Sequence, residues 1–247
     1  MKICKLCKKE KELINKSHIL PEFLYKNIYD NKHRYLEINY KKDGYHKSSY
    51  KQKGNYESDI FCKECDGGII SKEEKYIKEN FYENIRKNIT QLSKISPNGL
   101  TSEIIIDLQR LKRFWLFNLY RMSLSNLHFY KYINLRNKEE SLRKNLYENH
   151  VFKRNEYPVF IAICLPQKKD GPEKLIFMPK IIRSRENGYQ CVFYINGILH
   201  IIQISGHNPD DNFLNKWDYE NSKFNFSYFP ESEFYLYANV MSGLKIY

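Results

Sequence analysis

The chain has 247 residues, with 41 Lys and Arg against 29 Asp and Glu, a formal net charge of +12 and a pI of about 9.2. A composition of 42% hydrophobic, 15% aromatic and 28% charged side chains supplies a sizeable core and excludes a disordered chain. No run of about 18 apolar residues is present, so no transmembrane helix is expected, and Met1-Lys2-Ile3-Cys4 opens no apolar export segment; the expectation is a soluble, cytoplasmic protein of one large or two modest domains.

The charge is uneven. Residues 1–100 hold 21 basic and 14 acidic side chains, residues 101–150 hold 9 and 5, and residues 151–247 hold 11 and 10. The excess therefore lies in the first 150 residues, where a polyanion such as nucleic acid would be met; a solvated lysine-rich surface is the plainer alternative.

In chain order, residues 3–10 contain the first of two cysteine pairs, Cys4 and Cys7. Glu12 to Leu20 reads as an extended segment or short strand pair ending at Pro21, and 22–30 as a short helix. Residues 31–58 are polar and rich in Tyr and Lys, with Asp43-Gly44 as a turn. Cys62 and Cys65 form the second pair, followed by Asp66-Gly67-Gly68. A helix is predicted from Ser71, which could cap it, to about Leu92, with Glu73 and Glu74 in its first turn. Ser96-Pro97-Asn98-Gly99 breaks the pattern.

A second helix is predicted over 102–124, because Ile104, Leu108, Leu111, Trp115 and Leu119 recur on one helical face. Phe114, Leu116 and Phe117 widen that stripe, so its aromatics are core rather than a base-stacking platform. A third helix is expected at 137–149. From Tyr157 the texture becomes β, with strands at Val159–Leu165, Leu175–Ile182, Gln190–Ile195, Leu199–Ile204 and Phe234–Val240, and a hairpin turn at Asn196-Gly197. The fold class is α+β: a zinc-binding module over 1–95, a helical segment over 96–150 and a β-rich C-terminal domain over 151–247 with an antiparallel sheet.

The cysteine spacing carries the sharpest chemistry. Each pair has two residues between its members, which lets both thiolates of a tight knuckle reach one ion. Two such pairs without an export signal predict one structural zinc on Cys4, Cys7, Cys62 and Cys65 rather than disulfides. Cys164 and Cys191 fall in apolar strand-like runs and read as buried small hydrophobes.

His18, in Ser17-His18-Ile19-Leu20-Pro21, lies between the two pairs. With Asp59-Ile60-Phe61-Cys62-Lys63-Glu64-Cys65-Asp66, this arrangement resembles the zinc-stapled HNH endonucleases of ββα-metal, treble-clef type. The resemblance covers about residues 1–80 and rests on Cys4, Cys7, His18, Cys62 and Cys65, supported by Pro21. At the level of texture, Trp115–Ser125, Leu142-Arg143 and Tyr157-Pro158-Val159 look like poorly described bacterial HNH-like proteins of mobile or anti-phage systems.

The resemblance implies a metal-dependent endonuclease hydrolysing phosphodiester bonds, with DNA as the expected substrate and a bacterial defence effector as the implied role. His18 would be the general base and Asn55 would orient it, although Asn55 stands rather early before Cys62. The catalytic Mg²⁺ or Mn²⁺ would be held by Asp66, Glu73 or Glu74; for Asp66 and Glu73 a helix-start charge is the plainer reading. Lys51, Lys53 and Lys72 are the candidate backbone contacts. The family places an acid just before the base, where this chain has Ser17, a poorer ligand. The alternatives are an inactive zinc treble clef that binds nucleic acid, a protein-interaction or self-associating subunit using the nearly neutral C-terminal sheet, and a ligand sensor in that sheet. His33 and His46 could touch phosphate, while His128, His150, His200 and His207 earn no role.

Overall fold

A computed structural model describes residues 1–40, 46–85, 101–165, 174–184, 188–205, 214–230 and 233–234. The N-terminal part is made of short pieces. Strands β1 (Lys2–Ile3) and β2 (Glu10–Lys11) pair antiparallel, Lys2 opposite Lys11. Strand β3 (Ser17–His18) leads through Pro21 into one helical turn, α1 (Glu22–Tyr25). Strands β4 (Tyr35–Tyr40) and β5 (His46–Lys51) form an antiparallel hairpin; the predicted Asp43-Gly44 turn lies outside the described residues. Strand β6 (Tyr56–Glu57) then returns to β3, Ser17 opposite Glu57 and His18 opposite Tyr56.

From Glu64 the chain is helical without a break to Tyr82. The central α2 (Ser71–Ile77) is flanked by wider π-helical turns over Glu64–Ile70 and Lys78–Tyr82. Ser71 is therefore not a cap: it sits inside the helical run, its backbone N–H bonded to the Asp66 carbonyl five residues back. The start is set instead by the second cysteine knuckle, with Cys65 N and Asp66 N donating to Cys62 O at 3.1 and 3.0 Å.

The second predicted helix starts later than its periodicity suggests. Thr101–Ile105 is a strand (β7), paired antiparallel with β13 (Lys223–Pro230). Its residues alternate between exposed and half-buried, which is the period of a strand on a solvated face. Helix α3 (Leu108–Leu124) begins after Asp107, whose carboxylate accepts from Gln109 N and Arg110 N as an N-cap. A 3₁₀ turn at Arg136–Lys138 precedes α4 (Glu139–Tyr147).

The C-terminal strands are β8 (Val159–Leu165), β9 (Leu175–Ser184), β10 (Gly188–Ile195), β11 (Ile198–Ser205), β12 (Trp217–Asp218) and β13. They build a nine-stranded sheet in the order β12-β13-β8-β11-β10-β9-β4-β5, with β7 also on β13. Asn196 and Gly197 both have positive φ, 55° and 75°, the tight turn that this pair favours. The sheet is largely antiparallel, but β13–β8 and β4–β9 are parallel. Thus the β4–β5 hairpin of the N-terminal 95 residues and strand β7 both belong to the large sheet. Of the predicted strand Phe234–Val240, all but Phe234 lies outside the described residues.

Helix α3 is buried on nearly every side because it is sandwiched. On one side Tyr120 meets Phe61 of the cysteine module and donates to Lys5 O at 2.8 Å. On the other, Trp115 packs on Phe193 and His200 of the sheet. One hydrophobic core runs from Cys4 and Leu6 through Trp115 to Trp217. No helix among the described residues is long and apolar enough to cross a membrane.

Candidate active site and metal centre

The first cysteine knuckle is closed by backbone bonds Cys4 N to Lys9 O at 3.0 Å and Lys8 N to Cys4 O at 2.9 Å, with Lys8 in the left-handed region at φ 59°. Lys5 N donates to Ile60 O at 2.8 Å, and Leu13 bridges Cys62. These contacts bring the two knuckles together. The sulfurs of Cys4, Cys7, Cys62 and Cys65 all lie within 4.8 Å of one another, with Cys7 and Cys62 Sγ 4.0 Å apart. A tetrahedral ion with metal–sulfur bonds of about 2.3 Å needs sulfurs about 3.8 Å apart, so the four thiols are close enough to bind one metal ion and are compatible with structural zinc.

The donor set itself asks for a cation. The hydrogen bond from Cys65 draws the Cys4 thiol down to about 4, helped by the Cys62 backbone N–H. Burial pushes Cys62 up to about 11, and the Cys4 thiolate raises Cys65. Cys4 ionises at the expense of Cys62 and Cys65, and a bound cation is what lets neighbouring thiolates carry charge together. Among the described residues, no other group of three or more His, Cys, Asp or Glu ligand atoms is gathered this closely.

The alternation of β3 turns Ser17 inward and His18 outward. Ser17 is fully buried and its hydroxyl donates to Asp66 Oδ1 at 2.5 Å. His18 has 39% of its side chain exposed, and its Nε2 lies 3.3 Å from Glu22 Oε2. Glu22 is itself held. Its Oε1 accepts from Tyr29 OH at 2.7 Å, and that hydroxyl accepts from Gly54 N at 3.2 Å. Burial, then the hydrogen bond to Glu22 and its charge, raises the Tyr29 pKa, keeping the phenol a donor. A Cβ at Gly54 would stand 2.9 Å from Glu22 Oε2 and from the Tyr25 ring. Position 54 is glycine because the carboxylate and that ring occupy the space.

Behind His18, Arg121 of α3 is almost completely buried. Its Nη1 donates to the His18 carbonyl at 2.8 Å and lies 2.7 Å from Glu74 Oε1, while Nη2 donates to Asn118 Oδ1. His18, Glu22, Asp66, Glu74 and Arg121 all line an open cavity of about 410 Å³. Its floor is the face of the α2 run.

The remaining expected residues fall in other places. Asn55 holds the His18 strand through its backbone, Ile19 N donating to Asn55 O at 2.9 Å. Its side chain points instead to long contacts with Glu37, Tyr35 and Tyr130. Glu73 is on another face of α2, paired with Arg110 and Arg113. Lys72 shares that second face, while Lys51 and Lys53 are exposed at the end of β5 and just beyond it.

Glu22, Tyr29 and Arg121 were not singled out by sequence reasoning. Glu22 had a signal, since it stands four residues after the histidine at a Pro-initiated helical turn. Arg121 had none, because its partner is 103 positions away. Comparison with protein-family models, with curated proteins and with solved structures gave no match.

Proposed function

We propose that the chain is a metal-dependent endonuclease of HNH type, hydrolysing phosphodiester bonds of nucleic acid, with a structural zinc on Cys4, Cys7, Cys62 and Cys65. One observation carries this reading. His18, on a two-stranded β3–β6 ribbon, faces a cavity with Glu22, Asp66 and Glu74, and the helix that supplies two of those carboxylates starts at the second cysteine knuckle. The ribbon followed by this helix supports a ββα-metal, treble-clef reading of the module.

The Glu22 carboxylate beside Nε2 favours the tautomer with its proton there, which leaves the Nδ1 lone pair to accept a proton from water. The water oxygen then attacks phosphorus, the bond to the 3′-oxygen breaks, and His18 keeps the proton. Arg121 fixes the His18 backbone against Glu74, so the base is aimed from a rigid support. The carboxylates of Asp66 and Glu74 are hard oxygen donors that would hold Mg²⁺ or Mn²⁺, which when bound polarises the scissile phosphate and stabilises the leaving oxygen. Plasmid cleavage with Mg²⁺, Mn²⁺ or EDTA, comparing wild type with His18→Ala and checking that zinc is retained, tests the reading.

A second reading has its own observation. Ser17, at the position where the family has an acid, is buried and its hydroxyl is used by Asp66, so that position presents no metal ligand. A catalytically inactive treble clef that binds nucleic acid or a protein would show no cleavage with either cation while keeping its zinc.

A further inference from the structure

A second, larger cavity of about 680 Å³ lies on the other side of the α2 run, against α3 and α4. Lys75 and Glu79 line both this groove and the His18 cavity, so the two lie next to one another along a single helix. Their charges differ. The His18 cavity has Lys75, Lys78 and Arg121 against Glu22, Asp66, Glu74 and Glu79, three cations to four acids. The groove has Lys72, Lys75, Arg110 and Arg113 against Glu73 and Glu79, four cations to two acids. The first suits a metal ion and the second suits phosphate.

The groove is also organised. The two oxygens of Glu73 take one nitrogen each from the arginines, Arg110 Nε at 2.8 Å and Arg113 Nε at 3.2 Å. The Arg110 guanidinium carbon sits over the Tyr76 ring, 3.9 Å from its centroid, and its Nη2 donates to Lys72 O at 2.8 Å. One carboxylate thus orients two guanidiniums by their inner edges, and among the described residues Arg113 has no partner at its terminal nitrogens. Arg110 keeps 28% of its side chain exposed and Arg113 11%, and guanidiniums already held in place by a carboxylate bind phosphate at little ordering cost. Lys72 and Lys75 are exposed beside it.

We propose that this groove binds the phosphodiester backbone of the nucleic-acid strand flanking the phosphate at His18. The strand would run over α2 past Lys75. This rests on the nuclease reading of the His18 cavity, and it places the anion contact on Lys72, Lys75, Arg110 and Arg113 rather than on the hairpin end at Lys51 and Lys53.

The test is equilibrium binding of a short duplex, and of a single strand of the same sequence, to the full zinc-loaded chain without added Mg²⁺ or Mn²⁺. Salt is varied from about 50 to 200 mM. Lys72→Glu changes an exposed side chain and leaves the fold alone; Lys72→Ala with Arg110→Gln removes two cations. Both should weaken binding about tenfold or more, and the double variant should flatten the log–log salt slope on duplex by about 0.9 for each phosphate left without its cation. Unchanged affinity and slope in Lys72→Glu, with wild type binding, would overturn the groove and leave the nuclease reading standing. The same holds if Lys51→Ala with Lys53→Ala carries the loss instead. A wild type that binds neither probe overturns the groove and the nucleic-acid reading together.

Discussion

Arg121 donates from Nη1 to the backbone carbonyl of His18 at 2.8 Å, joining the central helix to the strand that carries the candidate base. The same guanidinium ion-pairs with Glu74 on the α2 run. One buried side chain therefore ties together three of the elements that surround the His18 cavity, and the cysteine module, α3 and the sheet share one core.

Removing Arg121 should be felt first in stability. Truncating one partner of a buried ion pair strands the other charge and costs about 3–5 kcal/mol. Glu74 keeps 24% of its side chain exposed, so Arg121→Ala should fall at or below the low end, about 2–3 kcal/mol. Urea unfolding measures this, and a loss below about 1 kcal/mol would mean that the guanidinium does not brace the site.

Zinc should be present at one ion per chain purified without added metal. Structural zinc contributes folding free energy on the order of 10 kcal/mol in small modules. Here the effect should reach the site, because Asp66 follows Cys65 directly and accepts the Ser17 hydrogen bond. Cys62→Ser should lose the ion, and amide exchange should then rise through residues 1–25 as well as at the knuckles. Protein that is well folded with less than half an ion per chain would contradict this.

A pH dependence follows from His200. Its ring is fully buried, stacked on Phe193 at 4.5 Å and against Trp115 at 4.0 Å, and burial draws its pKa down to about 3. An unfolded histidine has a pKa of about 6.5, so between those values the unfolded chain binds the extra proton and stability falls as pH falls. The contribution is complete above pH 6.5, and at pH 5 about 2 kcal/mol of it should be gone. Urea unfolding at pH 7 and pH 5 should show wild type losing that much more than His200→Phe, a comparison in which zinc loss and carboxylate titration cancel. Equal losses would show that the buried ring is not the source.

What the sequence made legible was local chemistry. Cys4, Cys7, Cys62 and Cys65 announce a metal site by spacing alone, and Asn196-Gly197 announces its turn. Strands such as Val159–Leu165 are continuous apolar runs. What it hid depends on distant partners. Ile104 fits the α3 stripe by periodicity, yet Thr101–Ile105 is a strand because β13, more than a hundred residues later, offers it an edge. Tyr35–Tyr40 reads as a polar insert, but Leu36 and Ile38 align with Leu175 and Phe177 in the large sheet. At the candidate site, His18 could be found from its neighbours in sequence, whereas the contacts of Glu22 and Arg121 with it are created by folding.

The sharpest prediction concerns Glu22 as the residue that positions His18. If His18 accepts the proton from water, His18→Ala should lose about 10² to 10⁴ in cleavage rate while keeping zinc and fold. Glu22→Gln keeps an acceptor for Tyr29 but removes the carboxylate beside Nε2, so it should lower kcat about tenfold or more and leave KM unchanged, as expected for a group that acts on the base and not on substrate binding. Gly54→Ala offers an independent route to the same defect. Its new methyl would stand 2.9 Å from Glu22 Oε2 and from the Tyr25 ring, closer than van der Waals contact allows, so the carboxylate and the ring must both shift. Gly54→Ala should therefore reproduce the kcat loss of Glu22→Gln with His18 intact, and combining the two should cost little more than either alone. Full kcat in Glu22→Gln, measured beside an inactive His18→Ala, would show that the imidazole works without its carboxylate partner; additive losses in the double variant would show that Gly54 acts through the Tyr25 ring instead.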